Sequence, residues 1–128
     1  MYSWLLVMVG GALGAVSRWA FSGWLAALLG GLWWGTLVVN LLGCLGLGMA
    51  WASVDRWGTT NPAFGWVTPL VMAGFFGGFT TLSGLHKDVW QLIQGQAWGS
   101  LAWYSGLSWL GGLLCLILGR ALIVGIKV

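Results

Sequence analysis

The residues best placed to do chemistry form one run, Gly74-Phe75-Phe76-Gly77-Gly78-Phe79-Thr80-Thr81-Leu82-Ser83. A glycine pair and three hydroxyls stand together inside an otherwise apolar stretch. Backbone released from a helix within a bilayer meets no water, so it persists only where protein buries it or a polar cavity receives it. The run therefore predicts a helix broken between Gly77 and Ser83, with carbonyls and hydroxyls turned toward an ion or small polar solute. Transport is the activity this segment favours.

Composition supplies the elements that must position it. Hydrophobic residues make up 59% of the 128-residue chain and charged residues only 5%, with mean hydropathy +0.92, which excludes a water-soluble domain. The charges fall at Arg18, Asp55, Arg56, Lys87, Asp88, Arg120 and Lys127, leaving long uncharged runs between them. A membrane-spanning helix takes ~20 apolar residues. Four such helices with short connections use up residues 1–128, giving a single all-α transmembrane channel domain with no room for a soluble catalytic one. Helix 1 is expected from about Ser3 to Leu28, helix 2 from Thr36 to about Ser53, the broken third segment from about Phe64 to Gln94, and helix 4 from about Trp98 to Ile123. Asp55-Arg56 with Gly58 to Pro62 makes a polar connection. The first segment has no positive region ahead of its apolar stretch, so it is expected to remain as a span and not to be removed as a signal peptide.

Glycines at small-xxx-small spacing, Gly10 with Gly14 and Gly74 with Gly78, allow close backbone approach, expected here between subunits. Tryptophans near helix ends anchor at the interface. Cys44 and Cys115 stand inside predicted helices without ligand neighbours at metal spacing and read as packing residues.

The polar residues within the spans are few. Asn40 lies mid-helix 2, with Thr36 one turn earlier on the same face; its amide either bridges helices or faces a pore. Tyr104 and Ser108, at i and i+4, are expected to share one face of helix 4. Arg18 is either buried for function or snorkelling to the interface. Asp88 either pairs with Lys87 or lines a vestibule together with His86. Neither helix 1, helix 2 nor helix 4 carries a carboxylate inside its span. An exporter of organic cations would need one, whereas neutral donors suit a small anion. No nucleophile–base pair is visible, so enzymatic activity is not expected.

Charge placement adds one more expectation. Arg56, Arg120 and Lys127 fall on one side and Arg18 and Lys87 on the other, a weak positive-inside bias. A chain so balanced is able to insert both ways round, as an antiparallel dimer requires.

Three stretches, Gly11-Ala12-Leu13-Gly14-Ala15-Val16-Ser17-Arg18, Gly35-Thr36-Leu37-Val38-Val39-Asn40-Leu41-Leu42-Gly43 and Gly74 to Ser83, resemble the Fluc (CrcB) fluoride channels. The resemblance covers the full length with the motifs in order. It implies a dual-topology antiparallel dimer in a prokaryotic plasma membrane (the cell inner membrane), passively exporting toxic fluoride from the cytoplasm. It also implies a structural sodium ion at the dimer interface, held by the carbonyls of Gly77 and Thr80. By the same resemblance Asn40, Thr81, Leu82, Ser83, Leu85, Tyr104 and Ser108 occupy pore or anion-binding positions. Arg18 and Asp88 occupy vestibule positions, and the partners are fluoride, the bilayer and a second subunit, with no nucleic acid.

The chain departs from the family pattern at Leu82 and Leu85, where two phenylalanines present positive ring edges to the anion, and at Gly84, where a threonine stands. An isobutyl group has no such edge. Two readings follow: a conducting homodimer with leucines as a hydrophobic constriction, or a non-conducting or half-pore subunit whose paralogous partner in a heterodimer supplies the aromatic groups.

Overall fold

A computed structural model describes residues 2–58 and 60–125. Lys127, counted above among the charges of one side, lies outside them, as does Thr59 of the polar connection. The described residues are helical almost throughout. Helix α1 spans Ser3–Leu29 and ends at Gly30, whose left-handed φ of 74° closes the helix as only glycine does cheaply. Helix α2 spans Leu32–Ser53 and continues as a wider π-helical turn, Val54–Gly58. Helix α3, residues 67–79, winds as a π-helix over Val67–Phe76 and as an α-helix over Gly77–Phe79. Helix α4 spans Leu82–Gln94, and α5 runs Trp98–Val124 with a second π-helical stretch at Leu107–Gly111.

Four stretches are long and apolar enough to cross a membrane: Ser3–Leu29, Trp33–Gly58, Phe64–Gln94 and Trp98–Val124. The chain is an all-α, multi-pass membrane protein. Helix 2 begins a turn earlier than its first expected residue, Thr36, because Leu32 to Gly35 already adopt helical backbone.

Within the third stretch only Thr80 and Thr81 are extended. The interruption is narrower than the expected Gly77 to Ser83. Gly77 and Gly78 remain helical because their missing side chains serve packing, not unwinding. A Cβ on Gly78 would lie 2.5 Å from the Gly11 carbonyl and one on Gly74 3.0 Å from Gly10 Cα, while Gly10 and Gly14 would collide with the Leu70 and Phe75 carbonyls. These glycine pairs join α1 to α3 inside one chain, which corrects the expectation that they pack between subunits. Gly48 and Gly119 do the same between α2 and the second half of α5, meeting the Leu116 and Leu45 carbonyls. Helix α4 lies against α2 and the first half of α5.

The buried apolar core is small: Leu25, Leu37, Val39, Ala52, Val67, Leu85 and Tyr104. Large side chains such as Leu13, Trp19, Leu110 and Leu122 point outward. Lipid is as apolar as leucine, so cohesion here rests on close backbone contact and polar bonds, not on burial from water.

Gly14→Val drives a branched side chain into a backbone carbonyl that has no room to give. It is expected to cost about 3 kcal/mol or more, the upper end of overpacking penalties. Gly23→Ala, with open space around it, is expected to keep wild-type stability. Thermal unfolding in detergent, followed by tryptophan fluorescence, compares the two.

Candidate functional site

The break depends on one side chain. Asn40 on α2 donates from Nδ2 to the Thr81 carbonyl at 3.1 Å and accepts the Thr81 amide on Oδ1 at 2.8 Å. A carboxamide carries the same donor and acceptor as a peptide group, so Asn40 serves Thr81 as a piece of neighbouring backbone. Both polar groups of an extended residue are thereby satisfied where no water would do so.

The threonines finish the two helix ends. Thr80 Oγ1 donates back to the Phe76 carbonyl at 2.8 Å, a local bond that competes with helix continuation. Thr81 Oγ1 accepts the Gly84 amide at 2.9 Å, capping α4, and lies 3.2 Å from Ser83 Oγ. Gly84 makes that cap possible: a Cβ there would stand 2.7 Å from Thr81 Cγ2. Because the Thr81 amide goes to Asn40, the Gly77 carbonyl loses the donor that would have closed the next turn. Arg18 on α1 donates from Nη1 to the Thr80 carbonyl, a long bond of 3.4 Å.

Two hollows meet at this point. One is an open groove of about 370 Å³ whose polar lining is Asn40, Thr80, Thr81 and Ser108, among apolar walls that include Leu82, Leu85 and Leu113. Ser108 Oγ is buried and finds no hydrogen-bond partner among the described residues. The other is a recess of about 510 Å³ bounded by Arg18, Lys87, Ser22, Ser83 and Gly84. Thr81 lines both. Neither lining contains a carboxylate.

Thus Asn40, Thr81, Leu82, Leu85 and Ser108 come together at the groove, with Ser83 and Arg18 at the recess. Leu82 is exposed, and Leu85 is buried against Leu37 and Tyr104. Tyr104 and Asp88 go elsewhere. Tyr104 is fully buried and donates to Asp88 Oδ2 at 3.0 Å, with Trp33 edge-on to its ring. Tyr104 packs into the core with Leu37 and Leu85, whereas Ser108, beyond the point where the winding of α5 widens, lines the groove. Asp88 is 1% exposed and 3.8 Å from Lys87 Nζ. The pairing alternative describes it, and it does not line the Arg18 recess. His86 stays on its own helix, Nδ1 2.9 Å from the Leu82 carbonyl.

Lys87 and Ser22 were missed as recess residues. The i, i+4 spacing of Ser83 and Lys87 on α4 carried the signal for the first. Ser22, one turn after Arg18, donates to the Arg18 carbonyl at 2.6 Å and had no comparable mark.

Fold and site together define a small multi-pass membrane protein with a polar, carboxylate-free seam at an interrupted helix. The family profile described as CrcB-like protein, Camphor Resistance (CrcB), matches residues 5–120. Three similar proteins carry the name fluoride-specific ion channel FluC. That of Leptospira interrogans is 36% identical over 112 residues, 87% of this chain and 86% of its own. That of Chloroflexus aurantiacus is 33% identical over 119 residues, 92% of each chain. That of Dichelobacter nodosus is 36% identical over 123 residues, 93% of this chain and 94% of its own. The chain belongs to the CrcB-like family, whose named relatives are channels and not enzymes.

Asn40→Ala leaves both Thr81 backbone groups unpaired, at about 1–3 kcal/mol for each. The expected result is lower stability with faster hydrogen exchange at the Thr81 amide. Unchanged exchange at Thr81 would remove Asn40 from this role.

Proposed function

We propose that the chain is a fluoride channel, passing fluoride passively out of a prokaryotic cytoplasm across the plasma membrane. The observation that carries this is the seam at Thr81, which joins a basic recess to a groove lined by neutral donors with no carboxylate in either. Fluoride gives up strongly bound water only where donors replace it. Asn40 has two N–H groups and spends one on Thr81, leaving one for an anion. Ser108 offers an unpartnered hydroxyl across the same groove. A cation would find no carboxylate to neutralise it here.

The groove is open on one side, so a pore needs a second surface to close it. We infer an antiparallel dimer, which the even spread of basic residues along the chain also supports. Leu82, 59% exposed at the groove, favours a second reading: a half-pore subunit whose paralogous partner contributes aromatic edges opposite it. The homodimer comes first because the donors it needs are already present in this chain.

A structural sodium at the dimer interface belongs to this reading. The Gly77 carbonyl, freed of its helical donor at the C-terminal end of α3, suits a hard cation. The Thr80 carbonyl has only the long Arg18 bond to exchange for one. Sodium, when bound, would neutralise the partial negative charge of these carbonyl ends.

Liposomes containing only this purified chain are expected to release fluoride rapidly while retaining chloride, read with ion-selective electrodes. A folded dimer that releases no fluoride would sink the homodimeric channel. Fluoride release recovered only with a second, phenylalanine-bearing paralogue would establish the half-pore reading. Replacing sodium by N-methylglucamine throughout preparation is expected to reduce dimer stability on size exclusion; no change would remove the sodium.

A further inference from the structure

Neither thiol of the chain has a part in the seam at Thr81. Cys44 is on α2 and Cys115 on α5; both are free and half-buried. They are the chain's two cysteines, and they lie so far apart in sequence that no ligand spacing marks them as a pair. The packing of α2 on α5 brings them together. Contacts step along both helices in the same direction. A Cβ on Gly111 would meet Leu41, one on Gly112 would lie 3.5 Å from Cys44 Sγ, and one on Gly119 would meet the Leu45 carbonyl. The two helices therefore run parallel, and they touch backbone to backbone at Gly48 and Gly119. Cys44 comes four residues before Gly48, and Cys115 four residues before Gly119. Residues at that spacing share a helix face. Each thiol thus sits one turn ahead of the same contact, at matching height on facing helices. The two sulfurs are close enough to interact electrostatically.

The surroundings decide what such a pair can hold. Cys44 lines the groove with Leu47, Gly112 and Leu116, and no charged residue is part of that lining. An ion can reach the thiol there. Among the described residues no group of three or more His, Cys, Asp or Glu comes together as a metal site. A structural zinc takes four protein ligands, and calcium or magnesium takes oxygen; neither fits two sulfurs. Soft thiolates select soft metals, and an ion that bonds two sulfurs in line needs no further ligand. Charge chooses among such ions. Two thiolates on a monovalent ion leave an anion against an apolar wall, which is costly. On mercury(II) they leave a neutral complex.

We propose that Cys44 and Cys115 form an intrachain two-thiol site for mercury(II), bridging α2 and α5 at the wall of the groove. Both thiols lose their protons as the metal binds: two S–H bonds break, two S–Hg bonds form, and two protons leave to water. The site does not depend on which ion passes the groove. Because the glycine contacts hold the helices together, the second sulfur is already in place once the first has bound. A free monothiol lacks that advantage.

The test uses the purified full chain in detergent, with its Cys44→Ala and Cys115→Ala variants. Each is loaded with equimolar mercury(II) chloride and then titrated with 2-mercaptoethanol, and the mercury retained is measured after gel filtration. Wild type is expected to need about a hundredfold more monothiol than either variant, the low end of the gain from joining two binding events. Release from wild type and variants at the same concentration would overturn the proposal.

The intact mass of loaded wild type is a second readout, and it stands whether or not the variants fold. One chain carrying one mercury, with two hydrogens lost and no chloride kept, is the expected species. A mercury that keeps its chloride, or two chains joined through one mercury, would overturn the intrachain pair.

Discussion

A peptide group taken out of a helix inside a membrane must be given partners by the protein itself, and the architecture around Thr81 follows from that demand. Asn40 supplies both partners. Once it holds the Thr81 amide, α3 ends, its last carbonyls lose helical donors, and Thr81 is free to cap α4 with its own hydroxyl. The same bond pair brings α2 beside the break, where Asn40 lines the groove. The stabilising role and the proposed anion-facing role are two halves of one amide. The alternatives for Asn40 were therefore never exclusive.

The rest of the chain holds this arrangement without help from the hydrophobic effect. Gly10, Gly14, Gly74 and Gly78 bring the backbones of α1 and α3 into direct contact, and Gly48 and Gly119 do so for α2 and α5. Contact of this kind is short-ranged and fixes register tightly, since any side chain at these positions meets main chain. Arg18 rides on the α1 face that this register sets, which is how its guanidinium reaches the Thr80 carbonyl. The Tyr104–Asp88 bond pins α4 to α5 in the same spirit, since a buried carboxyl with a hydroxyl donor is expensive to pull apart.

Much of this was legible beforehand. The four spans and the interruption of the third follow from hydropathy and from where polar residues interrupt it, whereas a common place for Asn40, Thr81 and Ser108 was implied by the family resemblance. Family membership was legible in the three motif stretches. What failed to show was direction. Gly77 and Gly78 looked like the break because glycine loosens helices in water, yet in a membrane bundle glycine more often buys close approach. Nothing in composition told that Tyr104 would be buried with Leu37 and Leu85 while Ser108, one turn on, lines the groove. Asp88 gave no sign of which helix it would meet, since that depends on the α4–α5 pairing.

The leucines at 82 and 85 are where sequence and structure must be weighed together. Leu85 packs into the core beside Tyr104 and Leu37, so a ring there would have to displace that packing. Leu82 stands exposed at the groove instead. The two positions are not equivalent, and an argument treating them as a matched aromatic pair does not transfer to this chain. On the channel reading the anion's lost hydration is replaced along Thr81, Asn40 and Ser108, while the leucines narrow the path without contributing donors. A constriction of that kind slows every ion, and selectivity then falls to the donors.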